Sequence, residues 1–233
     1  MTALLFDAAY KPDLAAVKAA GGIAMSVYLT GQYASTCASA AQLHADDLGA
    51  LGNFEEGSAD LTSCWESGGV QIGKRAAAAY IAEGAPAGKG LGLAFSLDIN
   101  TPSSEFGAVG AAFDGIRVGL NGQFVPLVYA EGAAIDYLWT NHKVAGVEWL
   151  AAPTSWPGFN AGDVHVGLVQ QVGSPVHGTD EDKITNLAAL APLIWWPQGS
   201  PYAQEVPMTE AEIAAVAKAV WTTETTTAGG TKY

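Results

Sequence analysis

Carboxylates stand where four apolar runs end. Phe95-Ser96-Leu97-Asp98-Ile99-Asn100 climbs out of a loop punctuated by glycine and proline and reaches Asp98. The pattern recurs at Asp7 after Leu4-Leu5-Phe6, at Glu55 and Glu56 after Leu51-Gly52-Asn53-Phe54, and at Glu131 after Leu127-Val128-Tyr129-Ala130. Short apolar runs bounded by turn residues read as buried strands. Acids gathered at the C-terminal ends of successive strands are how a parallel barrel builds a catalytic floor.

The chemistry such a floor suits is glycoside hydrolysis. It needs a protonated acid at the leaving oxygen and a second group that stabilises the oxocarbenium-like centre. Burial beside aromatics raises a carboxyl pKa, and a like-charged neighbour raises one member of a pair. On that reasoning Glu55 beside Phe54 and Glu131 beside Tyr129 are the acid candidates. Asp98 would act as the ionised nucleophile or orient a substrate N-acetyl group, and the Asn100 amide suits bonding to an acetamido group. Adjacent strands lie about 4.8 Å apart, so acids ending the third, fourth and fifth strands could converge. Each acid taken singly has an equally ordinary use as a helix N-cap or a salt-bridged rim residue. Glu56 is expected to point away from Glu55, because neighbours on a strand alternate faces. Tyr33, Tyr129, Trp149 and Trp156 could stack sugar rings, with core packing as the plain alternative.

These residues need elements to position them. Strand-like runs at 4–8, 23–29, 51–55, 91–99, 124–130, 147–151 and 164–170 alternate with helical stretches at 11–20, 39–48, 69–83, 106–119 and 133–141. An eighth strand near 179–186 is weakly marked. The βαβα order argues for a parallel sheet covered by helices, and its compactness favours a (β/α)8 (TIM-type) barrel, irregular in its last units. No glycine-rich phosphate loop follows the first strand, where Asp7-Ala8-Ala9-Tyr10 stands instead, so an open dinucleotide-binding sheet is disfavoured. The barrel is expected over 1–196. A proline-bearing linker (197–208), a short amphipathic helix (209–222) and a polar tail (223–233) follow. Thr209-Glu210-Ala211-Glu212 forms a capping box. Ile213, Val216, Ala217, Val220 and Trp221 make one apolar stripe, which must dock on the barrel, on a partner or on a copy of itself.

Composition narrows the partners. The 233 residues carry a net charge of −13 with only ten Lys and Arg, a surface that repels nucleic acid and anionic lipid. No window is long and apolar enough for a membrane span, and no secretory signal pattern opens the chain. The four histidines lack zinc-site spacing, no Gly-x-Ser-x-Gly elbow follows a strand, and Lys is nearly absent from strand ends. No metal or cofactor is expected, and a Schiff-base barrel has no candidate. Cys37 and Cys64 are read as free thiols, with a single bridge as the alternative in an oxidising setting.

In order and spacing these motifs resemble the glycoside-hydrolase-like barrel family of actinobacteria and their phages, a distant relative of the family 25 lysozymes. The resemblance covers about residues 3–190. It rests on Phe6-Asp7, Phe54-Glu55, Gly84-Ala85-Pro86, Phe95-Ser96-Leu97-Asp98, Val128-Tyr129-Ala130-Glu131-Gly132, Trp149 and Trp156, Val169-Gln170-Gln171, and Gly178-Thr179-Asp180. It implies a site with Asp98, Glu55 and Glu131 as catalytic residues and Asp7, Asn100, Tyr129, Trp149, Gln170 and Asp180 around the substrate. It also implies bacterial cell-wall glycan as the partner. The C-terminal segment looks like helices of actinophage minor tail proteins and lysins, which implies location in a virion or as a released lysin, with other tail proteins as partners. One departure stands out: family 25 lysozymes carry Asp-x-Glu on strand four, and here it is Asp98-x-Asn100. The alternative expectation is therefore a glycan-binding or structural barrel that has lost catalysis.

Overall fold

A computed structural model describes residues 3–57, 61–142, 147–151, 154–162, 165–171 and 173–203. Eight strands close into one barrel in sequence order: β1 (Leu4–Asp7), β2 (Gly22–Tyr28), β3 (Gly49–Phe54), β4 (Gly92–Ser96), β5 (Val125–Ala130), β6 (Glu148–Leu150), β7 (Val166–Gln171) and β8 (Asp180–Ile184). The helices are α1 (Leu14–Ala19), α2 (Ala40–Ala45), α3 (Glu66–Ala82), α4 (Phe106–Leu120), α5 (Gly132–His142) and α6 (Leu187–Leu190). The chain is thus an α/β barrel of TIM type. The expected linker is described only to residue 203, where Trp196 and Tyr202 stack at 5.2 Å. The expected C-terminal helix and tail lie outside the described residues.

The first seven strands run parallel, whereas β8 is antiparallel to both β7 and β1. This corrects the expectation of a uniformly parallel barrel. A hairpin joins β7 to β8 where a crossover helix would stand, and only an antiparallel neighbour can follow so short a connection. The reversal sets Asp180, at the start of β8, opposite Asp7, at the end of β1.

Alternation along the strands separates two cores. Leu5, Ala24, Leu51, Ala94, Leu127, Trp149, Leu168 and Ile184 fill the barrel interior. Outward-facing residues such as Phe6, Val27, Phe95 and Val128 pack under the helices. The glycines of α3 and α4 have a packing reason. A Cβ on Gly115 would lie 2.0 Å from the Glu66 carbonyl oxygen, and one on Gly69 equally close to that of Ala112. The two helices therefore touch backbone to backbone. At the base, Trp195 exchanges backbone hydrogen bonds with Ala50 at 2.8 and 2.9 Å, strapping the end of the barrel onto β3.

Candidate functional site

The interior grades from apolar to polar toward the C-terminal ends of β1–β7. There a cavity of about 380 Å³ opens, within the roughly 300–1,000 Å³ usual for small-molecule sites. Four carboxylates line it: Asp7, Glu55, Asp98 and Asp180. Tyr28, Tyr33, Tyr129, Asn53, Ser96, Gln170 and Thr179 complete its polar wall, and among the described residues no Lys, Arg or His takes part. Strand ends supply most of these groups. Asp98 lies just past the end of β4 and is solvent-exposed, and Glu55 follows β3 and is half-buried. The β2–α2 loop presses over Glu55. It does so at Gly31, whose positive φ of 73° and the 2.5 Å that a Cβ would leave to the Glu55 carbonyl both require glycine.

Asp7 is the deepest acid of the four. It is 7% exposed, and its two oxygens accept hydrogen bonds from the Ser26 and Tyr28 hydroxyls, the latter at 2.9 Å. Burial pushes its pKa up to about 6, against the two hydroxyl donors and helped by the nearby Asp180 charge. Burial also raises Asp180, with Asp98 adding to the effect. Asp7, Asp180 and Asp98 therefore act on one another across the same space. The Tyr129 hydroxyl donates to Gln170 Oε1 at 2.9 Å and lies 3.4 Å from Asp98 Oδ1. Burial raises the Tyr28 and Tyr129 phenols far above their usual range, so both remain hydroxyl donors at neutral pH. Ser96 donates to Asn53 Oδ1 at 2.9 Å.

Below this wall lies a group that the sequence did not single out. Asp182 is fully buried and accepts the Trp149 indole N–H at 2.6 Å. Burial, then the Asp7 charge, hold its pKa well above the usual carboxylate range. Glu148, also fully buried, accepts the Val128 backbone N–H at 2.6 Å. Alternation on β8 carried the only signal for Asp182: it is two residues from Asp180 and so on the same face.

Six of the nine expected site residues meet at the cavity: Asp7, Glu55, Asp98, Tyr129, Gln170 and Asp180. Three do not. Glu131 is buried away from it, because the chain has already turned into α5, where the Glu131 carbonyl accepts from the Ile135 N–H. Its carboxyl is desolvated and pushed up, with the Thr101 backbone amide as its nearest support. Asn100 is exposed on the β4–α4 loop outside the lining, since β4 ends four residues earlier at Ser96. Trp149 forms part of the interior beneath Tyr129, edge-on at 5.2 Å, and offers no open face. Glu56 turns outward, as alternation predicts, and pairs with Arg75 at 2.5 Å. Cys37 and Cys64 are not joined in a disulfide.

Among the described residues, no group of three or more His, Cys, Asp or Glu converges as metal ligands, and no helix is long and apolar enough to cross a membrane.

No protein-family model matches the chain, and no curated protein matches it in sequence. Solved structures do match in fold. The Tat-secreted protein Rv2525c of Mycobacterium tuberculosis, in complex with L-tartrate, superposes with a TM-score of 0.63 at 20% identity, covering 80% of this chain and 97% of that one. A second crystal form of it, with HEPES, gives 0.62 at 20% identity, covering 86% and 98%. An uncharacterized B. stearothermophilus protein gives 0.57 at 16% identity, covering 82% and 99%. The chain shares its barrel fold with these secreted and uncharacterized proteins. At such identities the likeness concerns the fold alone.

Proposed function

We propose that this barrel processes glycan at its C-terminal mouth by carboxylate-based glycoside hydrolysis, with bacterial cell-wall glycan (peptidoglycan or an associated polysaccharide) as substrate. One observation carries the reading. A buried carboxyl that keeps its proton up to about pH 6, Asp7, shares a cavity with the water-accessible Asp98 and Glu55. Two carboxyl groups in contrasting environments are the acid and the charge-bearing partner that glycoside cleavage requires.

In this reading Asp7 gives its proton to the leaving oxygen. The Ser26 and Tyr28 hydroxyls already aimed at its oxygens then stabilise the carboxylate left behind. Positive charge developing at the anomeric carbon as the glycosidic bond breaks meets Asp98 and Glu55, with no cation among the described wall residues to oppose it. A water adds to that carbon and returns its proton to the Asp7 carboxylate. Tyr129, held by Gln170, presents an aromatic edge and a hydroxyl to the sugar. Expected attachment to a phage tail, or release as a lysin, rests on the resemblance of the C-terminal segment and belongs to the same proposal.

A second reading, a barrel that binds glycan without cutting it, is favoured by Asn100. It replaces the acid of the Asp-x-Glu pattern and stands outside the cavity. One experiment separates the two. Reducing sugar released from purified actinobacterial cell walls is measured for wild type, Asp98→Ala and Glu55→Ala. Release by wild type that either substitution abolishes supports hydrolysis. Walls that pellet the protein but release nothing support binding. A protein that does neither sinks both.

A further inference from the structure

One aromatic residue at the mouth is used by neither the core nor the chemistry above. Tyr10, on the loop between β1 and α1, is 65% exposed, a poor return for a ring of its size if its role were core burial. It is not isolated. Its ring packs edge-on against Tyr33 at 6.3 Å, and Tyr33 packs edge-on against Tyr28 at 5.4 Å. Tyr28 and Tyr33 line the cavity and Tyr10 does not, so the three rings run from the wall of the site to the outer surface.

The track is held in place. Thr36 on the β2–α2 loop accepts the Lys11 backbone N–H on its carbonyl at 2.8 Å. Its hydroxyl donates to the Ala9 carbonyl at 2.7 Å, with the Tyr33 carbonyl at 3.1 Å. These bonds clamp the loop that carries Tyr10 to the loop that carries Tyr33. An exposed ring fixed in this way has already paid much of the ordering cost of binding.

We propose that Tyr28, Tyr33 and Tyr10 form an aromatic binding track for an extended, uncharged pyranose chain, with Tyr10 as a subsite outside the cavity. The proposal rests on the glycan reading above and adds that the ligand is a polymer engaged beyond the reacting unit. A sugar contained in the cavity would not need Tyr10. A pyranose offers the apolar C–H face that a tyrosine ring covers and the hydroxyls that the four carboxylates, Gln170 and the tyrosine hydroxyls can bond. Polyanions fit poorly, because the wall holds four acids and, among the described residues, no cation.

The test is calorimetric binding of two uncharged probes that differ only in length: peptide-free glycan strands from bacterial cell walls whose lactyl carboxyls have been reduced to alcohols, and the disaccharide obtained by digesting them. The proteins are wild type, Tyr10→Ala, Tyr10→Phe and Thr36→Val. Tyr10→Ala is expected to weaken strand binding roughly 3- to 10-fold while leaving disaccharide affinity within about twofold. Tyr10→Phe, which keeps the ring, should bind strands like wild type. Thr36→Val should fall between, because it frees the loop and keeps the ring. An exposed side chain can be removed without unfolding the barrel, and an unchanged Tm for Tyr10→Ala checks this. Strand binding unaffected by Tyr10→Ala, or both probes weakened equally, overturns the track and leaves the glycan reading standing. Wild type that binds neither probe overturns both.

Discussion

The two halves of the barrel build the same mouth by different rules. From β1 to β5 each strand is followed by a helix, and Asp7, Glu55 and Asp98 reach the cavity from C-terminal strand ends. From β6 to β8 the regular alternation is lost. The β6 strand has three residues, β8 is reversed, and Asp180 reaches the cavity from a strand's beginning. What a barrel requires of a site residue is therefore a position at the mouth and an inward-facing register, whichever way the chain runs. The regular half supplies the carboxylates proposed for the chemistry. The irregular half supplies Gln170, Asp180 and the buried Asp182 that surround and tune them.

The largest effect should come from the regular half. Asp98→Asn is expected to lower sugar release from cell walls by roughly 10²–10³-fold, the range for loss of one group that stabilises charge developing in the transition state. A loss under threefold would remove Asp98 from the chemistry and shift the weight to β8. Next comes a purely structural break in the same half. Gly115→Val drives a side chain into the Glu66 carbonyl and should cost about 3 kcal/mol, read as a large drop in Tm.

The acids at the seam between the halves, Asp7 of β1 and Asp182 of β8, should answer through pH. Asp7 and Asp182 both have folded-state pKa values above their unfolded ones, Asp7 at about 6 against 3.8. A raised carboxyl binds its proton more tightly in the folded state. Its contribution is therefore complete below the unfolded value and is lost as pH rises through the folded one. For Asp7 the loss falls between about pH 4 and 6 and amounts to about 3 kcal/mol. Asp182→Asn keeps an acceptor for the Trp149 N–H and removes one raised carboxyl. Denaturant unfolding followed upward from the unfolded carboxyl value should give a flatter stability curve than wild type, with the variant gaining at alkaline pH. A curve parallel to wild type would show that Asp182 carries no ionisation cost.

Smaller still is Gln170→Ala. It unties the Tyr129 hydroxyl and is expected to raise KM several-fold, consistent with loss of about 1 kcal/mol of positioning. Glu131→Gln, outside the cavity, should leave sugar release within about twofold of wild type. A severe loss there would mean that the β5–α5 turn belongs to the site after all.

Residue patterns made most of the regular half legible. Apolar runs ending in acid located Asp7, Glu55 and Asp98, and strand alternation turned Glu56 outward before any geometry was known. The same patterns misplaced Glu131 and Asn100, because a strand-end motif does not say at which residue the chain leaves the strand. Hydrogen bonding into α5 decides the first, and the early end of β4 decides the second. Trp149 reads as a sugar platform from its type. Its burial beneath Tyr129 and its bond to Asp182 depend on strands far apart in sequence.

By itself the sequence determined the period of the fold, the inward face of each strand and the acidity of the mouth. All three follow from local rules, namely propensity, alternation and residue type, that act within a few residues. Only the tertiary structure decided that β8 runs backward, that Asp7 and Asp180 stand opposite each other and that Asp182 lies buried behind them. Those outcomes depend on barrel closure, which sets residues 4 through 7 against residues 180 through 183. Desolvation, the dominant cause of the raised carboxyls, exists only once that closure has excluded water.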